Sequence, residues 1–110
     1  MSEEQAYDLS VLAAQQDQKG ERYMEFLRVE DMSAGLYVLP AGGTDPQTPH
    51  AEDELYHVLA GRAVLRIGTR EQPVEAGSVV YVPARVDHRF HSVTEDLRVL
   101  VLFAPSESQA

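Results

Sequence analysis

The chain has 110 residues, no cysteine and a formal net charge of −9. That length is one domain's worth, and a domain so small buries only about 65% of the surface its unfolded chain exposes, so a partner subunit or a bound metal would add to a modest margin. The acidic balance argues against nucleic acid and anionic membrane surfaces, which need clustered Lys and Arg, and the missing thiols exclude disulfides, zinc–thiolate sites and iron–sulfur clusters, so any metal must be held by nitrogen and oxygen.

The start, Met1-Ser2-Glu3-Glu4, is acidic where a secretory signal needs basic residues before an apolar run. The longest apolar runs, near Leu97–Pro105, fall far short of the ~20 residues a membrane span needs, and a soluble cytoplasmic protein is expected. Asp8 to Lys19 reads as a short helix. Asp8 can cap it, Leu9, Leu12 and Ala13 form a narrow apolar stripe, and Gly20 stands where a helix stops. Residues 1–20 are thus predicted to be a helical extension covering an edge or acting as a lid.

After Gly20 the pattern turns to strands. They are predicted at Tyr23–Val29, Ser33–Leu39, Glu54–Ala60, Ala63–Ile67, Gln72–Val74, Ser78–Val82, His88–Val93 and Leu97–Phe103. The segment Ala41–Pro49, with two glycines and two prolines, leaves no room for a helix. Gly61, Gly68, Ala76-Gly77, Pro83-Ala84 and Thr94-Glu95-Asp96 supply turn signals between the later strands. Short strands at this spacing predict an all-β sandwich or barrel over 21–105, with a polar, frayed tail at 106–110. The runs 55–59 and 99–103 are apolar on both faces. Each is expected to put one face in the core and the other against a second sheet or a second subunit, which predicts a homodimer.

Four histidines are the candidates for chemistry. On an extended strand, residues of equal parity point the same way, so His50 and Glu54 share a face with Tyr56 and Val58, whereas His57 points away. His88 shares a face with Phe90 and Ser92, and His91 lies opposite. If the two strands meet across a barrel, His50, Glu54 and His88 converge. Two histidines and one carboxylate suit Fe(II), Mn(II), Ni(II) or Zn(II) and leave positions open for a small molecule or O2.

Two stretches resemble the paired motifs of the cupin superfamily. Gly42, His50, Glu54 and Gly61 fit the first, and Gly77, Pro83 and His88 fit the second, with fifteen residues between Gly61 and Gly77 as in compact bacterial members. The chain departs from the family at three positions. Thr48 stands where the first histidine of the first motif belongs, Arg85 replaces a glycine, and Ser92 replaces an asparagine. The resemblance implies a single cupin barrel, a double-stranded β-helix or jelly roll, holding one divalent transition metal through His50, Glu54 and His88. Gln47, beside the vacant position, could serve as a fourth ligand through its amide oxygen if the loop shifts by one residue. Gly61 and Gly77 are expected to serve turns.

The implied activity is that of a metal-dependent enzyme on a small molecule, of oxygenase or isomerase type, with Glu54 doubling as the catalytic base. A ligand- or sugar-binding module and a metal-free structural dimer are the alternatives, since one fold serves many functions. Tyr37, Tyr56, Tyr81 and Phe90 are expected to face inward. Glu52 and Asp53 are expected to be solvated. Arg62, Arg66 and Arg85 are candidates for binding a substrate carboxylate, and Arg89 a poor one.

Overall fold

The computed structural model describes residues 4–108. It contains one helix, α1 (Leu9–Lys19), and six strands, β1 (Tyr23–Val29), β2 (Met32–Leu39), β3 (Asp53–Ile67), β4 (Arg70–Glu75), β5 (Val79–Val82) and β6 (His88–Ala104). All strand pairs are antiparallel, in the order β1-β2-β6-β3-β4, with β5 also on β3. This is the all-β barrel with one short helix that the sequence predicts.

Helix α1 forms where its caps dictate. Asp8 accepts from the Ser10 amide at 2.8 Å, and Gly20 ends the helix in the left-handed region at φ 68°. Leu12 is buried outside the barrel with Met24 and Leu36, and Phe26, Leu59 and Leu100 pack around them. Gln16, also buried, donates through Nε2 to the Leu36 carbonyl at 2.8 Å. Leu9, expected in the apolar stripe, is exposed. The helix therefore covers the outer face of the sheet. Part of the second apolar face of β3 and β6 is buried from within the chain, while Met32, Val79 and Tyr81 remain exposed.

Strands predicted as separate pairs merge. Glu54–Ala60 and Ala63–Ile67 are one strand, β3, and His88–Val93 and Leu97–Phe103 are one strand, β6. The two pair from Asp53↔Ala104 to Ile67↔His88, with register breaks between Val58 and Val64. Gly61 is not a turn. It sits inside β3 at φ 94°, where a Cβ would fall 2.3 Å from the Asp96 carbonyl oxygen. Only glycine fits so close to a backbone, and the ribbon bends there. Beyond the bend β3 changes partner, from β5 at Glu54–His57 to β4 at Arg62–Ile67.

The bent ribbon encloses the core. Leu39, Val58, Leu65, Phe90 and Val99 are each 1% exposed or less. Burying a side chain of this size contributes roughly 1.5–3 kcal/mol. Tyr37, Tyr56 and Phe90 point inward as expected, but Tyr81 does not. Val82 is the residue of β5 that enters the core, so by alternation Tyr81 faces out, 55% exposed.

Arg85 occupies the left-handed region at φ 67° and its amide donates to the His50 carbonyl at 2.7 Å. A non-glycine residue there costs about 1–2 kcal/mol, partly offset because glycine loses more entropy on folding. Arg85→Gly is expected to raise stability by about 0.5 kcal/mol, read as a higher urea midpoint with unchanged slope. A lower midpoint would show that the guanidinium makes a stabilising contact.

Candidate metal centre

Three elements deliver the polar groups to one end of the barrel. His50 comes from the loop before β3, and its ring packs edge-on against Phe103 with centroids 5.0 Å apart. Glu54 is the second residue of β3, held between Val82 of β5 and Phe103 of β6. His88 opens β6. Glu54 and His88 lie near opposite ends of the β3–β6 ribbon, and the bend at Gly61 brings those ends together. Nδ1 of His88 donates to the Val86 carbonyl at 2.9 Å, because a carbonyl can only accept. In the neutral ring that bond leaves Nε2 unprotonated and turned towards Glu54.

Glu54 Oε1 lies 3.1 Å from His88 Nε2 and 3.9 Å from His50 Nε2, and the donor atoms of all three residues lie within 4.8 Å of one another. Glu54 and His88 are 2% and 1% exposed. Neither Glu54 Oε1 nor His88 Nε2 makes a hydrogen bond, although they face each other. Two acceptors cannot sit this close in a dry interior without a cation between them, either a proton or a metal ion. Burial pushes the His88 imidazole down, but the Glu54 carboxylate 3.1 Å away, the Val86 carbonyl and the charge of Asp45 outweigh it. The net shift is upward from the ordinary 6.5.

Gln47 faces the same point. Its Oε1 is 3.2 Å from His50 Nε2 and accepts from the Tyr56 hydroxyl at 3.0 Å. Its Nε2 donates to Asp45 Oδ2 at 2.8 Å, so the amide cannot be reversed without setting two acceptors against each other. Thr48 is exposed and outside the cluster. The loop thus runs one residue out of step with the family spacing, and Gln47 takes the inward place.

Asp45 was not among the residues anticipated. It is 2% exposed, and its carboxylate also accepts from the Tyr37 hydroxyl at 2.6 Å and the Phe90 amide at 2.9 Å. It ties the loop to β2 and β6 and aims Gln47. The Asx-type bond from the Gln47 amide to Asp45, 3.2 Å, is the local signal that could have found it.

A cavity of about 130 Å³ opens on the cluster. Tyr23, Tyr37, Tyr56, Val101 and Phe103 wall it, and Glu107 reaches in from the C-terminal segment. Glu107 Oε2 is 3.7 Å from His50 Nδ1, and burial, more than the neighbouring charges, raises its pKa from the ordinary 4.5. Residues 106–108, expected to fray, are pinned. Ser106 Oγ donates to the Met32 carbonyl at 2.9 Å, the Glu107 amide donates to Ser33 Oγ at 2.9 Å, and Ser108 bonds Glu52. Glu52, expected in solvent, is accordingly buried. Asp53 is exposed and accepts from the Ala84 amide at 2.9 Å.

None of the arginines lines the cavity. Arg62 bridges Glu75 and Glu95 at 3.0 and 3.1 Å, Arg66 pairs with Asp87 at 3.6 Å, and Arg85 and Arg89 are exposed. His57 is half-buried on the outer face, and His91 pairs with Glu71.

An antiparallel barrel that brings two histidines and a glutamate from two spaced motifs into one pocket has the architecture of a cupin. The chain belongs to this family: the model of the cupin domain matches residues 35–103. It is 52% identical over 103 residues to an uncharacterised protein of Streptomyces coelicolor, covering 94% of this chain and 98% of that one. Among solved structures it is similar to TT1209 from Thermus thermophilus, with TM-score 0.72 and 24% identity over 92% of this chain and 97% of that one. It is also similar to KdgF from Halomonas sp., with TM-score 0.69 and 18% identity over 76% of each chain. At these identities the solved structures speak for the fold alone. No helix among the described residues is long and apolar enough to cross a membrane.

Proposed function

We propose that the protein is a metal-dependent cupin that holds one divalent transition ion through His50, Glu54 and His88, with Gln47 as a fourth ligand, and acts on a small molecule that fits the cavity above it. The observation that carries this is the pair of buried acceptors, Glu54 Oε1 and His88 Nε2, facing each other at 3.1 Å with no hydrogen bond. The donor set is nitrogen and oxygen only, which suits Fe, Mn, Ni or Zn. A bound ion of this kind supplies Lewis-acid or, for a redox-active metal, one-electron chemistry.

The chain's own residues prepare the site for it. Asp45 orients the Gln47 carbonyl, and the Val86 carbonyl leaves His88 Nε2 free to coordinate. Phe103 and Val101 give the cavity an apolar wall beside the ligands, which lowers the local dielectric and strengthens each charge–charge contact. Glu54 lines the cavity and is the carboxylate assigned to accept a proton from the bound molecule. Enzymatic use of the site, of oxygenase or isomerase type, is distinguished from simple ligand binding by O2 uptake and product analysis across enediols and β-diketones.

Protein purified without a histidine tag from metal-supplemented medium is expected to carry about one ion per chain by elemental analysis, as a site of this composition requires. A value near zero would sink the metal reading and leave a ligand-binding or structural barrel.

A further inference from the structure

The cavity over the metal site contains no lysine and no arginine, yet carries two carboxylates, Glu54 and Glu107. Glu54 belongs to the ligand set. Glu107 does not, and it lies outside the matched cupin segment, on a strap that crosses the end of the β1–β2 hairpin. The strap is fastened at several points. Ser106 bonds the carbonyls of Val29 and Met32, and Arg28 donates to the Glu107 carbonyl at 2.8 Å. The Arg28 guanidinium pairs with the Glu25 carboxylate at 2.7 Å, and its bond to Glu107 is to the backbone carbonyl. The nearest cationic candidate is His50, whose Nδ1 faces Glu107 at 3.7 Å. With Nε2 given to a metal, that imidazole is neutral. The Tyr23 hydroxyl lines the same cavity, buried and without a hydrogen-bond partner.

We propose that Glu107 tunes the charge preference of the ligand this pocket accepts, favouring neutral small molecules over anions. The proposal rests on the metal-site reading above. A ligand in the open coordination positions must share a cavity of about 130 Å³ with the Glu107 carboxylate. In so small and partly desolvated a space the Glu107 carboxylate offsets part of the ion's attraction for an anion, whereas a neutral hydroxyl or amine gains an acceptor in Glu107 and an acceptor atom gains a donor in Tyr23. The strap thus adds to the barrel a specificity that the two motifs do not encode.

The test uses two small probes of different charge, azide and imidazole, titrated into Co(II)-loaded full-length protein whose metal content has been measured, with the ligand-field spectrum as readout. Glu107→Gln is expected to tighten azide about tenfold while changing imidazole by less than about twofold, as removal of one like charge at short range requires. Equal gains for both probes would show that Glu107 acts by bulk, and unchanged azide binding would show that it does not act at all; either result overturns the proposal. Metal content near zero would bring down the metal site and this specificity together, whereas full metal content with indifferent azide brings down only the specificity.

Discussion

His88→Ala is expected to reduce bound metal from about one ion per chain to background, a loss of at least about a hundredfold in affinity, since even the outer partners of a ligand contribute about 10–100-fold. The same substitution is expected to weaken the metal-free fold. Glu54 is 2% exposed, and its Oε1 lies 3.1 Å from His88 Nε2. Removing one partner of a buried charged pair costs about 3–5 kcal/mol, because the other is left without compensation. Glu54→Gln separates the two effects: the amide still loses the metal, but its NH2 can donate to His88 Nε2, and no charge is stranded. Dialysis followed by elemental analysis reads the first effect, and urea midpoints of the metal-free variants read the second. Stoichiometric metal in His88→Ala would remove His88 from the ligand set.

The same pair fixes the pH response. Because the His88 pKa is raised in the fold, the stabilisation of the metal-free protein is complete below the ordinary imidazole value of 6.5 and is lost as pH rises through the raised value. A metal must displace that proton. Affinity for the ion is therefore expected to climb with pH over the range in which the metal-free fold weakens.

The site was legible where it rests on regular strands. Parity placed Glu54, Tyr56 and Val58 on one face and His57 on the other, and burial follows that alternation. Parity could not reach the groups set by loops. Asp45 acts across 45 positions of sequence to the Phe90 amide, and Glu107 across 74 to Ser33. Neither contact has a periodic signature. The loop also hid its own register, so Thr48 and Gln47 could not be told apart until the Asp45 bond turned one of them inward. Glycine was misread for a related reason. Gly77 lies in the turn after β4, as its neighbours suggest, but Gly61 has the same local signal and lies inside a strand. What distinguishes it is the Asp96 carbonyl, a contact no local pattern encodes.

Gly61→Ala is accordingly expected to be among the most damaging single changes to this fold. The new Cβ would lie 2.3 Å from the Asp96 carbonyl oxygen and 2.8 Å from Leu97 Cα, all backbone that cannot rotate aside. At φ 94° the residue also enters a region L side chains avoid. Conformational strain of about 1 kcal/mol and overpacking of about 1–3 kcal/mol give a loss near 3 kcal/mol, a large share of the 5–15 kcal/mol typical of a whole domain. For a chain of this size that corresponds to a fall of about 15 °C in Tm. Gly68→Ala is the internal control. Its φ is also positive, at 61°, but nothing lies within 4 Å of its Cβ, so it should lose only the conformational part. Equal losses in the two variants would mean that the Asp96 contact is not what requires glycine. The consequence reaches the metal centre, because Glu54 and His88 stand near opposite ends of the ribbon that bends at Gly61. An opened corner draws those ends apart, so Gly61→Ala protein that still folds should hold metal more weakly than Gly68→Ala protein, although neither glycine touches a ligand.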